Sequence, residues 1–249
     1  MVEMRSLSVV LVLWMASALC RAQEDVADVQ CERIQLADKQ VYFLIGADAN
    51  AKEPKPLLLV LPGGDGSEQF NPFVKRIWKN VTNEFVVAQL VAVPAEEKGN
   101  IVWPTQKLKH AKQDFSTEAV IAAVVKDVTA RAKIDPQRVY ALGWSSGGPP
   151  LYASAASENS PLKGVFVAMS VFKPAEMPKP AAVKGKRFYI YHSPEDRVCP
   201  IAMARQAKTQ LTNLGAEATL VEYSGGHGWK GNVFQDMRAG IDWLDKKGK

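Results

Sequence analysis

Arg138-Val139-Tyr140-Ala141-Leu142-Gly143-Trp144-Ser145-Ser146-Gly147 is the stretch on which the reading of this chain turns. Arg138 to Leu142 reads as a short apolar strand. Gly143 to Gly147 is a G-x-S-x-G pentapeptide, and a helical pattern follows it. A serine hydroxyl is a weak nucleophile unless geometry and a base assist it. A sharp strand-to-helix turn supplies the geometry by pushing the serine oxygen out at the strand end, with glycines two residues away on either side letting the chain fold that closely. The same turn aims backbone N–H groups at the place where an oxyanion would form. Ser145 is therefore the candidate nucleophile, and the N–H of Ser146 is a candidate oxyanion donor.

A serine nucleophile needs a base, and the base needs an orienting acid. The chain has three histidines, His110, His192 and His227. His227 lies in Ser224-Gly225-Gly226-His227-Gly228-Trp229, a glycine-rich loop after a strand pattern over Thr219 to Tyr223, and is the expected base. His192 closes the strand pattern Arg187 to Tyr191 and reads as a satisfied strand-end histidine. His110 falls in a lysine-rich polar loop. The acid is expected between serine and base, in His192-Ser193-Pro194-Glu195-Asp196-Arg197-Val198-Cys199-Pro200. Asp196 is favoured over its rival Glu195, because Pro200 follows where a helix would begin. The apolar run Leu57 to Leu61 reads as a buried parallel strand. It leads into Pro62-Gly63-Gly64-Asp65-Gly66-Ser67, where the N–H of Gly64 is the second candidate oxyanion donor.

Strand-like and helix-like segments alternate through the chain, which predicts an α/β fold: a mostly parallel sheet with helices on both faces. Further strands are expected at Val41 to Ile45, Phe85 to Val93 and Val165 to Val171. Helices are expected over Glu68 to Lys79, Thr117 to Ala132, after the pentapeptide through Pro149 and Pro150, over Ile201 to Leu214 and over Val233 to Leu244. The segment from Pro174 to Lys186 is too short for a cap domain, so an open site is expected. Pro94 to Phe115 is a long irregular loop of the kind that often carries function. Trp103, Trp144 and Trp229 are possible substrate contacts, against the commoner role of tryptophan in core packing.

The four motifs together resemble the α/β-hydrolase superfamily. Leu61 to Ser67 resembles the oxyanion loop of small esterases, with Pro62 where that loop has histidine. Gly143 to Gly148 resembles the nucleophile elbow. Asp196 to Pro200 and Gly226 to Trp229 are similar to the acid and base loops of the phospholipase/carboxylesterase and dienelactone-hydrolase-like branch, though the nucleophile here is serine and not the cysteine of dienelactone hydrolases. The resemblance extends from about Val41 to the C-terminus. It implies a serine hydrolase cleaving carboxylic esters through Ser145, Asp196 and His227, with Gly64 and Ser146 as oxyanion donors and no cofactor. A serine peptidase or acyltransferase on the same scaffold is the alternative within enzymes, and a non-catalytic binding module of this fold is the alternative outside them.

With 249 residues, 47% hydrophobic and 23% charged, the chain has the composition of a globular protein able to bury a full core. A formal charge of +5 without an aromatic-basic motif gives no reason to expect nucleic acid as a partner. A small-molecule or carbohydrate-linked ester is the expected partner. Residues 1–22 read as a secretory signal: Arg5 in the leading region, an apolar stretch from Leu7 to Leu19, and Cys20-Arg21-Ala22 ahead of a cleavage point before Gln23. Residues 23–249 then form the hydrolase domain, in the periplasm or outside the cell, with no membrane span left after cleavage. An uncleaved anchor is the alternative, and a lipoprotein reading on Cys20 is disfavoured by the bulk of Leu19. Cys31 and Cys199 would remain, paired or free. No zinc-type ligand spacing and no phosphate-binding glycine loop is present, so no metal and no cofactor is expected.

Overall fold

A computed structural model describes residues 25–37, 40–93, 102–109 and 113–246. The signal-peptide reading of residues 1–22, with Cys20, and the polar-loop placement of His110 lie outside the described residues. The elements in chain order are β1 (Cys31–Ala37), β2 (Gln40–Ile45), β3 (Lys55–Leu61), α1 (Asn71–Val81), β4 (Val86–Val91), α2 (Thr117–Arg131), β5 (Ile134–Trp144), α3 (Gly148–Ala155), β6 (Gly164–Ala168), β7 (Arg187–His192), α4 (Ile201–Asn213), β8 (Glu217–Glu222) and α5 (Val233–Leu244). The strands form one eight-stranded sheet in the order β1-β2-β4-β3-β5-β6-β7-β8. β1 pairs with β2 and β2 with β4 antiparallel. Every other pairing is parallel.

The run Leu57 to Leu61 shows why the sheet must be covered on both sides. All five side chains are fully buried, but alternate residues point to opposite faces. Leu57, Leu59 and Leu61 join one core with Ile121, Val124 and Val128 of α2, Leu151 and Ala155 of α3, and Ala204, Ala207 and Leu211 of α4. Leu58 and Val60 join the other with Val74, Ile77 and Val81 of α1 and Met237, Ile241 and Leu244 of α5. The helices bury residues three and four apart, the spacing that keeps one face against the sheet. Ser116 caps α2 by accepting the Ala119 N–H at 3.3 Å.

Several boundaries differ from the sequence reading. The helix expected from Glu68 begins as a 3₁₀ turn, Glu68–Phe70, before α1 starts at Asn71 with Pro72 in its first turn. The strand expected to run to Val171 stops at Ala168, because Met169 adopts φ +41°, outside the extended region. β1 has no counterpart in the sequence reading. It is an edge strand in which Ile34 is deeply buried while Glu32, Arg33 and Gln35 are exposed, so it shows little apolar alternation to read. Between β6 and β7 the chain makes only two 3₁₀ turns, Pro174–Glu176 and Pro180–Val183, and the described residues include no large cap domain. None of their helices is long and apolar enough to cross a membrane.

Because Leu59 is fully buried in the central sheet, Leu59→Ala should destabilise the fold by about 2–5 kcal/mol. A urea titration checks this, and a midpoint equal to that of the parent chain would contradict the placement of β3 at the centre.

Candidate active site

In open α/β sheets, sites form outside the carboxyl ends of the strands, and four of the motifs converge there. At the end of β5, Ser145 takes φ +51°, a left-handed conformation that is costly for a residue with a β-carbon. A 3₁₀ turn, Ser145–Gly147, then leads directly into α3. The turn is held by close contacts. A β-carbon at Gly147 would collide with the carbonyl oxygen of Leu61 in β3. The Ser170 hydroxyl, just beyond β6, donates to the Ser145 carbonyl at 2.6 Å. Pro149 and Pro150 fall in the first turn of α3, where backbone N–H groups have no intrahelical partner to lose.

The Ser145 hydroxyl lies 3.1 Å from Nε2 of His227, and Nδ1 of the same ring lies 2.8 Å from Oδ2 of Asp196. The carboxylate of Asp196 is buried, and its other oxygen accepts the N–H groups of Val198 and Cys199, each at 2.8 Å. Burial works to raise the pKa of Asp196, but the Cys199 N–H, His227 and the Val198 N–H outweigh it, leaving the group below the ordinary carboxylate range. Asp196 is therefore an anion at neutral pH. An anion at Nδ1 fixes the proton there and leaves Nε2 free to accept from Ser145.

The segment after β3 packs closely against the turn after β5. The Ser146 hydroxyl donates to the Gly64 carbonyl at 2.8 Å, tying the two together. The indole N–H of Trp103 donates to the Pro62 carbonyl at 3.1 Å from beneath. Trp103 and Trp144 are each only 6% exposed, so both serve as packing around the site. Trp229 is half-buried. It stacks on Tyr191 and meets the edge of Trp144, both at 6.0 Å between ring centres.

Glu195, the rival acid, makes no hydrogen bond to His227, whose partners are Asp196 and Ser145. It accepts from the Ser193 hydroxyl and the Gly225 N–H. His192 is buried, and its Nε2 donates to the Cys199 carbonyl at 2.7 Å, lying 3.6 Å from Asp196. It thus supports the acid loop from behind. Cys31 and Cys199 are both free thiols. Asp196, Cys199 and His227 place ligand atoms within 4.8 Å of one another, but Asp196 and His227 are already engaged with each other. Burial, with Asp196 beside it, pushes the Cys199 thiol up to about 11, which keeps it protonated and a poor metal ligand. The sequence reading did not single out the Ser146 hydroxyl, Ser170 or Tyr223. The Ser146 and Ser170 hydroxyls act through contacts distant in sequence, and the Tyr223 hydroxyl acts on carbonyls of the glycine loop that follows it.

No protein-family model matches the chain, and no curated protein does. Solved structures do. A carboxylesterase from Mesorhizobium loti superposes with a TM-score of 0.67 at 16% identity, over 86% of this chain and 98% of that one. The Bacillus cereus carboxylesterase gives 0.60 at 20% identity, over 88% and 95%. An esterase from Thermogutta terrifontis, phosphorylated by paraoxon, gives 0.62 at 15% identity, over 89% and 93%. The chain has the α/β-hydrolase fold. At these identities the likeness establishes the architecture, and the geometry of Ser145, His227 and Asp196 on that architecture is that of a serine-hydrolase triad.

Gly147→Ala should force the turn away from Leu61, costing about 1–3 kcal/mol and displacing the Ser145 hydroxyl. Denaturant unfolding, together with labelling of Ser145 by a fluorophosphonate, measures both effects. Parent-like behaviour in both would show that the turn is not held by this contact.

Proposed function

We propose that the protein is an exported serine esterase that cleaves carboxylic esters through an acyl-enzyme. The observation that carries this reading is the unbroken relay from the Ser145 hydroxyl through His227 to a buried, anionic Asp196. Ser145 attacks the acyl carbonyl while His227 Nε2 takes its proton, and Asp196 stabilises the resulting imidazolium. The N–H groups of Gly64 and Ser146 hold the oxyanion, their segments tied by the hydrogen bond between the Ser146 side chain and the Gly64 carbonyl. His227 returns the proton to the leaving alcohol. Water, deprotonated by the same imidazole, then attacks the acyl-enzyme and frees Ser145. Each step is supplied by side chains and backbone of this chain, and the mechanism needs no cofactor. Export rests on the signal-like residues 1–22.

The substrate class follows from the openness of the site. The short β6–β7 connection holds two 3₁₀ turns and no large cap domain. A site without a cap has little enclosed apolar wall to hold a long acyl chain and admits a bulky alcohol. Short-acyl or aromatic-acyl esters, including those on carbohydrate, are the substrates we propose, with half-buried Trp229 as an apolar contact beside His227.

Ser145→Ala should abolish ester hydrolysis and covalent labelling by an organophosphate while leaving the unfolding midpoint close to that of the parent. Equal turnover by this variant would overturn the nucleophile assignment. Asp196→Asn should lower kcat by roughly 10⁴, as loss of the correct imidazole tautomer does in other triads. For specificity, kcat/KM across acyl lengths, measured above and below micelle formation, should fall with chain length and show no rise at the interface. A preference for emulsified long-chain esters would contradict the open-site reading.

A further inference from the structure

The loop that carries His227 is the least constrained part of the site by sequence. Gly225, Gly226 and Gly228 all take positive φ, at +125°, +78° and +125°, and a segment of this kind has many alternative conformations to lose. Yet the imidazole must sit within hydrogen-bond reach of both Ser145 and Asp196. The neighbouring acid loop supplies the constraint. One oxygen of the Glu195 carboxylate accepts both the Gly225 N–H, at 2.9 Å, and the Ser193 hydroxyl, at 2.7 Å. The Ser193 oxygen in turn accepts the Gly226 N–H at 3.0 Å and the Glu195 N–H at 3.2 Å. Ser193 is fully buried. On the other side, the Tyr223 hydroxyl lies 2.9 Å from the carbonyls of both Gly226 and Gly228. Burial pushes that phenol up to about 12, so it stays protonated as a donor.

We propose that Glu195 is a positioning residue: with Ser193 it clamps the Gly225–Gly228 loop to the acid loop and so presents His227 to Ser145. Two consecutive N–H groups immediately before His227 are fixed by this pair, and no other side chain takes them. The Gly225 N–H and then the Ser193 hydroxyl hold the Glu195 carboxyl below its ordinary range, so the acceptor is an anion through the neutral range and its hydrogen bonds are charge-assisted. The arrangement also explains why two adjacent carboxylates follow β7. Asp196 turns inward to the imidazole ring, and Glu195 turns to the backbone that carries it.

The inference rests on the esterase reading for its effect on catalysis but not for its effect on the imidazole, and the experiment separates the two. The full chain labelled with ¹⁵N-histidine gives the His227 Nδ1–H resonance that reports the bond to Asp196. Glu195→Ala and Ser193→Ala should broaden or abolish it. Glu195→Gln, which keeps a carbonyl acceptor, should retain it. Turnover should follow: kcat falls by roughly 10- to 100-fold in the alanine variants, the scale expected for a displaced catalytic group. KM should be nearly unchanged, and the glutamine variant should recover most of the rate. Glu195 is exposed, so Glu195→Ala should keep the parent unfolding midpoint and remain informative even if Ser193→Ala fails to fold. An unchanged resonance in Glu195→Ala, or a rate loss in Glu195→Gln as large as in Asp196→Asn, would overturn the clamp. A parent chain that hydrolyses no ester and whose Ser145 resists organophosphate would instead sink the proposed function, while the resonance would still report on the clamp.

Discussion

The conformation of Ser145 is the constraint to which the rest of the site is fitted. A non-glycine residue held at φ +51° stores strain on the order of 1–3 kcal/mol, and it persists only where the surroundings leave the chain no alternative. Here they come from three strands. β5 delivers Ser145, β3 packs its Leu61 carbonyl against Gly147, and the chain leaving β6 sends the Ser170 hydroxyl to the Ser145 carbonyl. Those three strands are adjacent in the sheet, in the order β3-β5-β6. The strained turn is thus held by the most deeply buried part of the fold. Relaxing it would require moving a parallel sheet whose central side chains have no exposed surface.

The electrostatics follow the same logic on a smaller scale. A buried carboxylate is costly unless its lone pairs are satisfied. Asp196 meets that requirement with two amides on one oxygen and the imidazole on the other. The two amides belong to Val198 and Cys199, two and three residues further along, so the loop builds its own anion receptor before His227 arrives. His192 adds a hydrogen bond to the Cys199 carbonyl, which fixes the far side of that receptor. The acid is therefore preorganised by its own loop, and the imidazole docks against a charge already in place.

Much of this was legible in the residues. Leu57 to Leu61 announces a strand buried on both faces, because no alternation interrupts it. Val233 to Leu244 gives its helix limits as the structure has them, because an apolar stripe runs its whole length. The approach of Ser145, Asp196 and His227 was legible because each motif follows a strand, and parallel strands bring their carboxyl ends together. What escaped had a physical reason. β1 exposes Glu32, Arg33 and Gln35 around a buried Ile34, so its pairing with β2 is a backbone matter that composition does not register. Met169 ends β6 early through its backbone dihedral, with no glycine or proline to mark it. The Trp103 indole N–H donates to the Pro62 carbonyl 41 residues earlier, a contact that nothing in its sequence neighbours reveals.

The two halves of the site are held by different physics. Ser145 is fixed by steric exclusion and deep packing, which leave few soft alternatives and resist small surface changes. His227 sits on a glycine-rich loop whose conformation depends on discrete hydrogen bonds from Glu195, Ser193 and Tyr223. Hydrogen bonds are individually modest and directional, so such a loop can be displaced by changing one side chain without disturbing the core. It follows that substitutions around the nucleophile should act on folding and reactivity together. Substitutions around the base loop should be able to separate them, leaving a folded chain with a misaligned imidazole. The loop that carries the proton-transfer group is thus the part of the site where reactivity is least tied to the stability of the sheet.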